Sequence, residues 1–225
     1  MRFPKRALSF KRRLLRWFRD HGRDLPWRRT RDPYHVLVSE FMLQQTQVTR
    51  VKDYYGRFLY RFPTLEDLAS ARPRQVREAW DGLGYYRRAR NLHALARTVV
   101  RERDGRLPRD PGELERLPGV GRYTAGAVAS FAYERREPAV DTNVARVLRR
   151  AFGRCENGST GGRQIWTLAE RLLPRRPRVS WEFNQALMDL GATICTARRP
   201  KCDECPVRPA CRFGRRESAR AGERG

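Results

Sequence analysis

Apolar residues recur at three- and four-residue intervals along nearly the whole chain, and the two-residue alternation of strands is scarce. Phe10, Leu14, Trp17 and Phe18 form one stripe with Arg and Lys opposite. Asp32-Pro33 opens a second helix through Tyr34, Leu37, Phe41 and Met42. Thr64, with Asp67 three residues on, reads as a capping box. Arg72-Pro73 and Asp110-Pro111 each put proline near a helix start, and Gly82, Gly84 and Gly105 mark breaks. The pattern predicts about ten helices and no strand, hence an all-α fold.

The 225 residues suffice for one compact domain or two small ones. Lys and Arg number 49 against 25 Asp and Glu, a formal net charge of +24. Such a chain repels itself unless it meets a polyanion, nucleic acid first and an anionic membrane second. Genome composition or a hot habitat raises Arg too, but Glu and Asp ordinarily rise with it. The sequence lacks the run of ~18 apolar residues that a membrane span needs. Its start, Met1 to Phe18, lacks the apolar run and cleavage site of a secretory signal. A cytoplasmic, nucleoid-associated protein is expected. Cysteines stay reduced there, so clustered ones suggest a metal.

Cys195, Cys202, Cys205 and Cys211 follow a C-x6-C-x2-C-x5-C pattern. Spacing alone leaves zinc and an iron–sulfur cluster both open. Cys155 stands apart and reads as a free thiol. Arg198, Arg199 and Lys201 lie between the first two ligands. On a metal-pinned loop they would grip a phosphate backbone, or else form a solvated charge run. The residues after Cys211 read as a basic, frayed tail.

Leu117 to Gly121 reads LPGVG, between a short helix from Pro111 and a longer one starting near Arg122. Gly119 and Gly121 permit positive φ and leave N–H groups bare, which makes either an anion nest or an ordinary turn. Asp141, in PAVDTNVARVL, falls at a helix start. A carboxylate there caps the helix and is held ionised by N–H bonds and the dipole. Glu40, in VLVSEFML, sits among apolar neighbours, where desolvation favours the protonated form. One carboxyl held acidic and one held ionised is the pairing used at glycosidic bonds.

Together these motifs resemble the endonuclease III-like helix-hairpin-helix (HhH-GPD) superfamily of DNA glycosylases, over roughly residues 20 to 212. Within it the LPWR, SEFMLQQTQV and GLGYYRRARNLH segments are similar to the A/G-mismatch adenine glycosylase (MutY) branch. The resemblance implies a two-lobed fold around a DNA cleft: a six-helix barrel over 27–135, an iron–sulfur domain from 1–26 plus 136–212, and a flexible tail over 213–225. It implies one 4Fe–4S cluster on the four cysteines. Glu40 would be the catalytic acid and Asp141 the catalytic aspartate, the two meeting at the cleft. Gln45 and Tyr85 would wedge into the base stack, and Gly119 and Gly121 would hold phosphate. Tyr123 and Asn143 would shape the pocket or order water, and packing is the other reading of Tyr123. Tyr123 replaces the lysine of the bifunctional lyases, so no strong lyase activity is expected.

Two features depart from the branch. Its C-terminal 8-oxoguanine-recognition domain is expected to be lacking after Cys211, and its Asp-Gly-Asn reads Asp141-Thr142-Asn143. A short chain with Tyr123 is also similar to the thymine glycosylases of G/T mismatches. The expected activity is therefore monofunctional excision of adenine opposite 8-oxoguanine or guanine, with thymine or uracil opposite guanine as the alternative. The expected partner is mismatched double-stranded DNA, bound by a monomer with no membrane involved. A non-catalytic DNA-binding module, a lyase acting on oxidised pyrimidines and a DNA-coating protein are the competing classes.

Overall fold

The computed structural model describes residues 3–153 and 162–215, and among them every regular element is helical. Cys155 and residues 216–225 of the expected tail lie outside the described residues. The chain divides into two compact units, one of residues 1–23 with 134–225 and the other of residues 24–133.

The first helix, α1 (Phe3–His21), belongs to the former unit. Phe10 and Leu14 are fully buried, and Phe10 meets Phe152 edge-to-face at 5.1 Å. The 24–133 unit starts with a 3₁₀ turn at Pro26–Arg28, and Trp27 there packs on Tyr55. Seven helices follow: α2 (Pro33–Leu43), α3 (Val48–Arg61), α4 (Leu65–Ser70), α5 (Pro73–Ala79), α6 (Arg87–Arg103), α7 (Pro111–Glu115) and α8 (Arg122–Phe131).

Local chemistry explains their starts. Asp32 accepts from the His35 N–H, Thr64 and Asp67 close the capping box, and Pro33, Pro73 and Pro111 occupy first turns. α2 is buried nearly all round, packed on α3, α6 and α8. Phe58 is the hub beneath it, 5.2 Å from Phe62 and 5.6 Å from Trp80. Each such side chain contributes roughly 1.5–3 kcal/mol by leaving water.

The other unit resumes with α9 (Thr142–Phe152), α10 (Gly162–Leu172) and α11 (Pro177–Thr193), then a 3₁₀ turn at Arg208–Ala210. Its core joins Phe10 and Leu14 to Val147, Leu148, Leu172, Phe183 and Leu190. Asp189 of α11 is 1% exposed and would be costly alone. The Arg23 N–H reaches its Oδ2 at 2.9 Å and the Arg23 Nε its Oδ1 at 2.7 Å. Among the described residues no helix is long and apolar enough to cross a membrane.

Candidate active site

Glu40 lies in the next-to-last turn of α2 with only 3% of its surface exposed. Every residue from Val36 to Met42 is buried, and all of them but Ser39 and Glu40 are apolar. A carboxylate so placed pays for desolvation, which is why such groups cluster where chemistry uses them.

Asp141 caps α9 in the other unit, and its Oδ1 accepts from the Val144 N–H at 2.6 Å. Its Oδ2 accepts from Asn143 Nδ2 at 3.0 Å. Asn143 Oδ1 accepts in turn from Arg146 Nη2 at 2.8 Å, and Arg146 also donates to the carbonyls of Gly191 and Cys195. The extended approach to Asp141 is pinned by Asn184 of α11, which bonds the Glu137 carbonyl and the Ala139 N–H. A Cβ at Gly191 would lie 2.8 Å from the Cβ of Asn143, so only glycine lets α11 pass this closely. Asp141 thus both caps a helix and is held from its other oxygen, a two-sided grip that capping alone does not need.

The hairpin joins α7 to α8. Only one of its glycines needs glycine's freedom. Gly119 has φ 77° and abuts the Asn91 side chain, whereas Gly121 caps α8 with extended backbone at φ −101° and open space around its missing Cβ. The first amides of α8 have no intrahelical acceptor, which leaves them for an anion. Tyr123 is half-buried in the first turn of α8.

Gln45 and Tyr85 are exposed, Tyr85 to 60%, and both stand on left-handed backbone. Arg198 and Arg199 are exposed on the cysteine loop, while Lys201 lies 3.6 Å from Glu204. That acid tempers one of the three cations expected to meet phosphate.

Cys195, Cys202, Cys205 and Cys211 are half-buried and line one cavity with Arg150 and Phe213. Among the described residues no set of side chains is gathered tightly enough for a single metal ion. Burial pushes the Cys205 thiol up to about 12 and moves Cys211 the same way. Any metal group held here must displace those protons. Arg150 Nη1 stands 3.4 Å from Cys195 Sγ and also donates to the Thr196 carbonyl at 2.7 Å. Sequence reasoning missed Arg88, Arg146 and Arg150, because nothing in an Arg-rich chain distinguishes an inward-turned guanidinium.

Residues 38–172 match the family model described as HhH-GPD superfamily base excision DNA repair protein. Residues 195–211, which hold the four cysteines, match the iron-sulfur binding domain of endonuclease III. The chain is 49% identical over 220 residues to an adenine DNA glycosylase of Rattus norvegicus, covering 92% of this chain and 42% of that protein. It therefore spans less than half the length of that relative. A thymine-DNA glycosylase of Aeropyrum pernix is 40% identical over 210 residues, covering 92% of this chain and 94% of that one. A solved structure of a thermostable thymine-DNA glycosylase superposes with a TM-score of 0.87 at 35% identity, covering 95% of this chain and 98% of the other. With the helical architecture, the hairpin and the cysteine loop in agreement with these matches, the chain belongs to the HhH-GPD superfamily of base excision DNA repair proteins.

Proposed function

We propose that the protein is a monofunctional DNA glycosylase that releases adenine mispaired with 8-oxoguanine or guanine in double-stranded DNA, acting as a monomer. The observation that carries the reading is Glu40, a residue 3% exposed on a helix whose buried residues are otherwise apolar but for Ser39. The SEFMLQQTQV and GLGYYRRARNLH segments and the 49% identity to an adenine glycosylase support adenine as the base. Part of the same proposal is a barrel over 27–135 and a cluster-bearing unit from 1–26 with 136–212.

Glu40 donates its proton to the flipped-out adenine, which then leaves with the electron pair of the C1′–N bond. Asp141, ionised, faces the oxocarbenium-like sugar and stabilises its charge. Water adds at C1′ and loses a proton, leaving an abasic site. Asn143 holds the Asp141 carboxylate, and Tyr123 borders the pocket without an amine to form a Schiff base. Gln45 and Tyr85 fill the space vacated by the base, offsetting a few kcal/mol of lost stacking. The hairpin amides at Gly119 and Gly121 bind backbone phosphate, together with Arg198, Arg199 and Lys201.

Cys195, Cys202, Cys205 and Cys211 would hold one 4Fe–4S cluster, whose role is to brace the loop. Thiols ringing a cavity suit an inorganic cluster better than a bare zinc ion, which draws its four ligands close.

The Aeropyrum relative keeps thymine as a second reading. Single-turnover base release from duplexes with A opposite 8-oxoguanine, A opposite G, T opposite G and U opposite G decides between them. Adenine release is expected. Release of thymine or uracil alone would transfer the chain to the thymine reading.

A further inference from the structure

Gln45 and Tyr85 stand at φ 57° and φ 48°, in a region that residues with a Cβ rarely occupy. Gln45 follows the end of α2, and Tyr85 follows Gly82 and Gly84, which have φ 86° and 72°. The two turns are far apart in sequence, yet one side chain is bonded to both.

That side chain is Arg88, in the first turn of α6 and 7% exposed. Its Nη1 donates to the carbonyls of Phe41 at 3.0 Å and Met42 at 2.7 Å, and to that of Gln44. Its Nη2 donates to Thr46 Oγ1 at 2.9 Å and to the carbonyls of Leu83 at 3.3 Å and Gly84 at 3.1 Å. The partners are five carbonyls and a hydroxyl rather than a carboxylate. The guanidinium carbon also lies 5.3 Å from the centre of the Tyr85 ring and 5.5 Å from that of Trp80. Trp80 Nε1 shares the Gly84 carbonyl at 3.2 Å.

The carbonyls at the end of α2 have no intrahelical donor and carry the negative end of the dipole. Glycine usually closes such an end with a left-handed residue; here glutamine takes that conformation and the guanidinium supplies the donors. The planar fork reaches both turns at once, which three donors on a single ammonium nitrogen do not. An exposed aromatic ring thus rests on a buried cation that also fixes the neighbouring turn.

We propose that Arg88 is a positioning residue that presets the DNA wedge, locking the Gln45 and Tyr85 turns into one rigid unit before DNA arrives. The inference rests on the wedge role given to these two residues in the glycosylase reading. A preset wedge spares the ordering cost at the moment of base extrusion. It should matter in proportion to how hard the base is to extrude.

The test uses the iron–sulfur-loaded chain with Arg88→Lys and Arg88→Gln. Amide exchange without DNA is followed at Thr46, which donates to Leu43, and at Leu83, which donates to Trp80. Both amides are expected to lose protection together in both variants, with α3 and α4 unchanged. Single-turnover release is then compared for adenine opposite guanine and adenine opposite a baseless tetrahydrofuran site. The paired adenine should be released about 10- to 100-fold more slowly, and the unpaired one at nearly the wild-type rate. A general loss of stability would slow both alike. Retained protection at either turn, or equal loss on both duplexes, overturns the proposal. If the wild type releases adenine from neither duplex, the adenine reading fails, and the exchange data alone decide whether Arg88 organises the turns.

Discussion

Replacing Asp141 by asparagine separates capping from the proposed catalytic role, because an amide keeps the first and would lose the second. Its carbonyl oxygen still accepts from the Val144 N–H, and asparagine caps about as well as aspartate. The charge–dipole gain of about 0.3–1 kcal/mol is lost. The new amide nitrogen faces Asn143 Nδ2, donor against donor, where an oxygen now accepts at 3.0 Å. Relief requires Asn143 to turn its amide, which costs its charge-assisted bond from Arg146, roughly 1.5–3 kcal/mol. The sum is about 2–4 kcal/mol, or a fall of about 4–16 °C in thermal midpoint for a chain of this size.

Against a stability of about 7 kcal/mol, such a loss leaves about 99% of the chains folded. Unfolding therefore takes only about one per cent of the activity at 25 °C. A carboxylate that faces a developing cation is worth far more, about 10²–10³ in rate. Single-turnover base release at 25 °C, with circular dichroism melting in parallel, reads the two effects separately. Asp141→Ser repeats the test with a capping hydroxyl and no second donor aimed at Asn143. If either variant melts lower yet releases base at the wild-type rate, Asp141 is a cap and nothing more.

Glu40→Gln should lower base release by about 10²–10⁴ with duplex affinity unchanged in a gel-shift titration, and excision at the wild-type rate would remove Glu40 from the chemistry. Elemental analysis of the purified protein should find iron and inorganic sulfide in equal amounts, both reduced in Cys202→Ser; stoichiometric zinc without iron would return the cysteines to the zinc reading. Arg23→Ala should cost about 3–5 kcal/mol in denaturant unfolding, because Asp189 is 1% exposed and would be left without its main cation. Burial, and secondarily Arg97, hold His93 below the usual imidazole value. Its folded form binds the proton less readily than the unfolded chain does. The stability it contributes is thus present above about pH 6.5 and lost as pH falls through the folded value. Thermal midpoints between pH 7.5 and 5 should fall less steeply in His93→Gln, and parallel profiles would remove His93 as a cause.

Much of this architecture is legible in the chain because its signals are local. Thr64 with Asp67, Asp32 before Pro33 and Asp110 before Pro111 are contiguous motifs, and each caps the helix it announces. Glu40 stands out because its apolar neighbours are adjacent in sequence, and Asp141 because an extended segment precedes it. Gly121 was less transparent. Two glycines in five residues suggest two positive φ angles, yet Gly119 alone adopts one, since composition does not reveal which residue turns and which caps.

The arginines were not legible at all, and the reason is physical. Arg88 serves the end of α2 and Arg136 the end of α10, where it donates to the Glu170, Leu173 and Pro174 carbonyls. Arg146 and Arg150 serve the end of α11 and the loop that carries Cys195. Together they complete carbonyls that helix ends and the loop after α11 leave without donors, and each reaches at least one partner more than thirty residues away. No periodicity marks such a residue, because its placement depends on a partner dozens of positions away. The charge of +24 points to a polyanion, yet the same residue type also does the work that terminal glycines do elsewhere. Neutralising arginines to weaken nonspecific DNA binding would therefore divide them: exposed ones such as Arg198 and Arg199 should lower affinity and its salt dependence while leaving the fold intact, whereas Arg88 and Arg146 should disturb the turns and the carboxylate they hold.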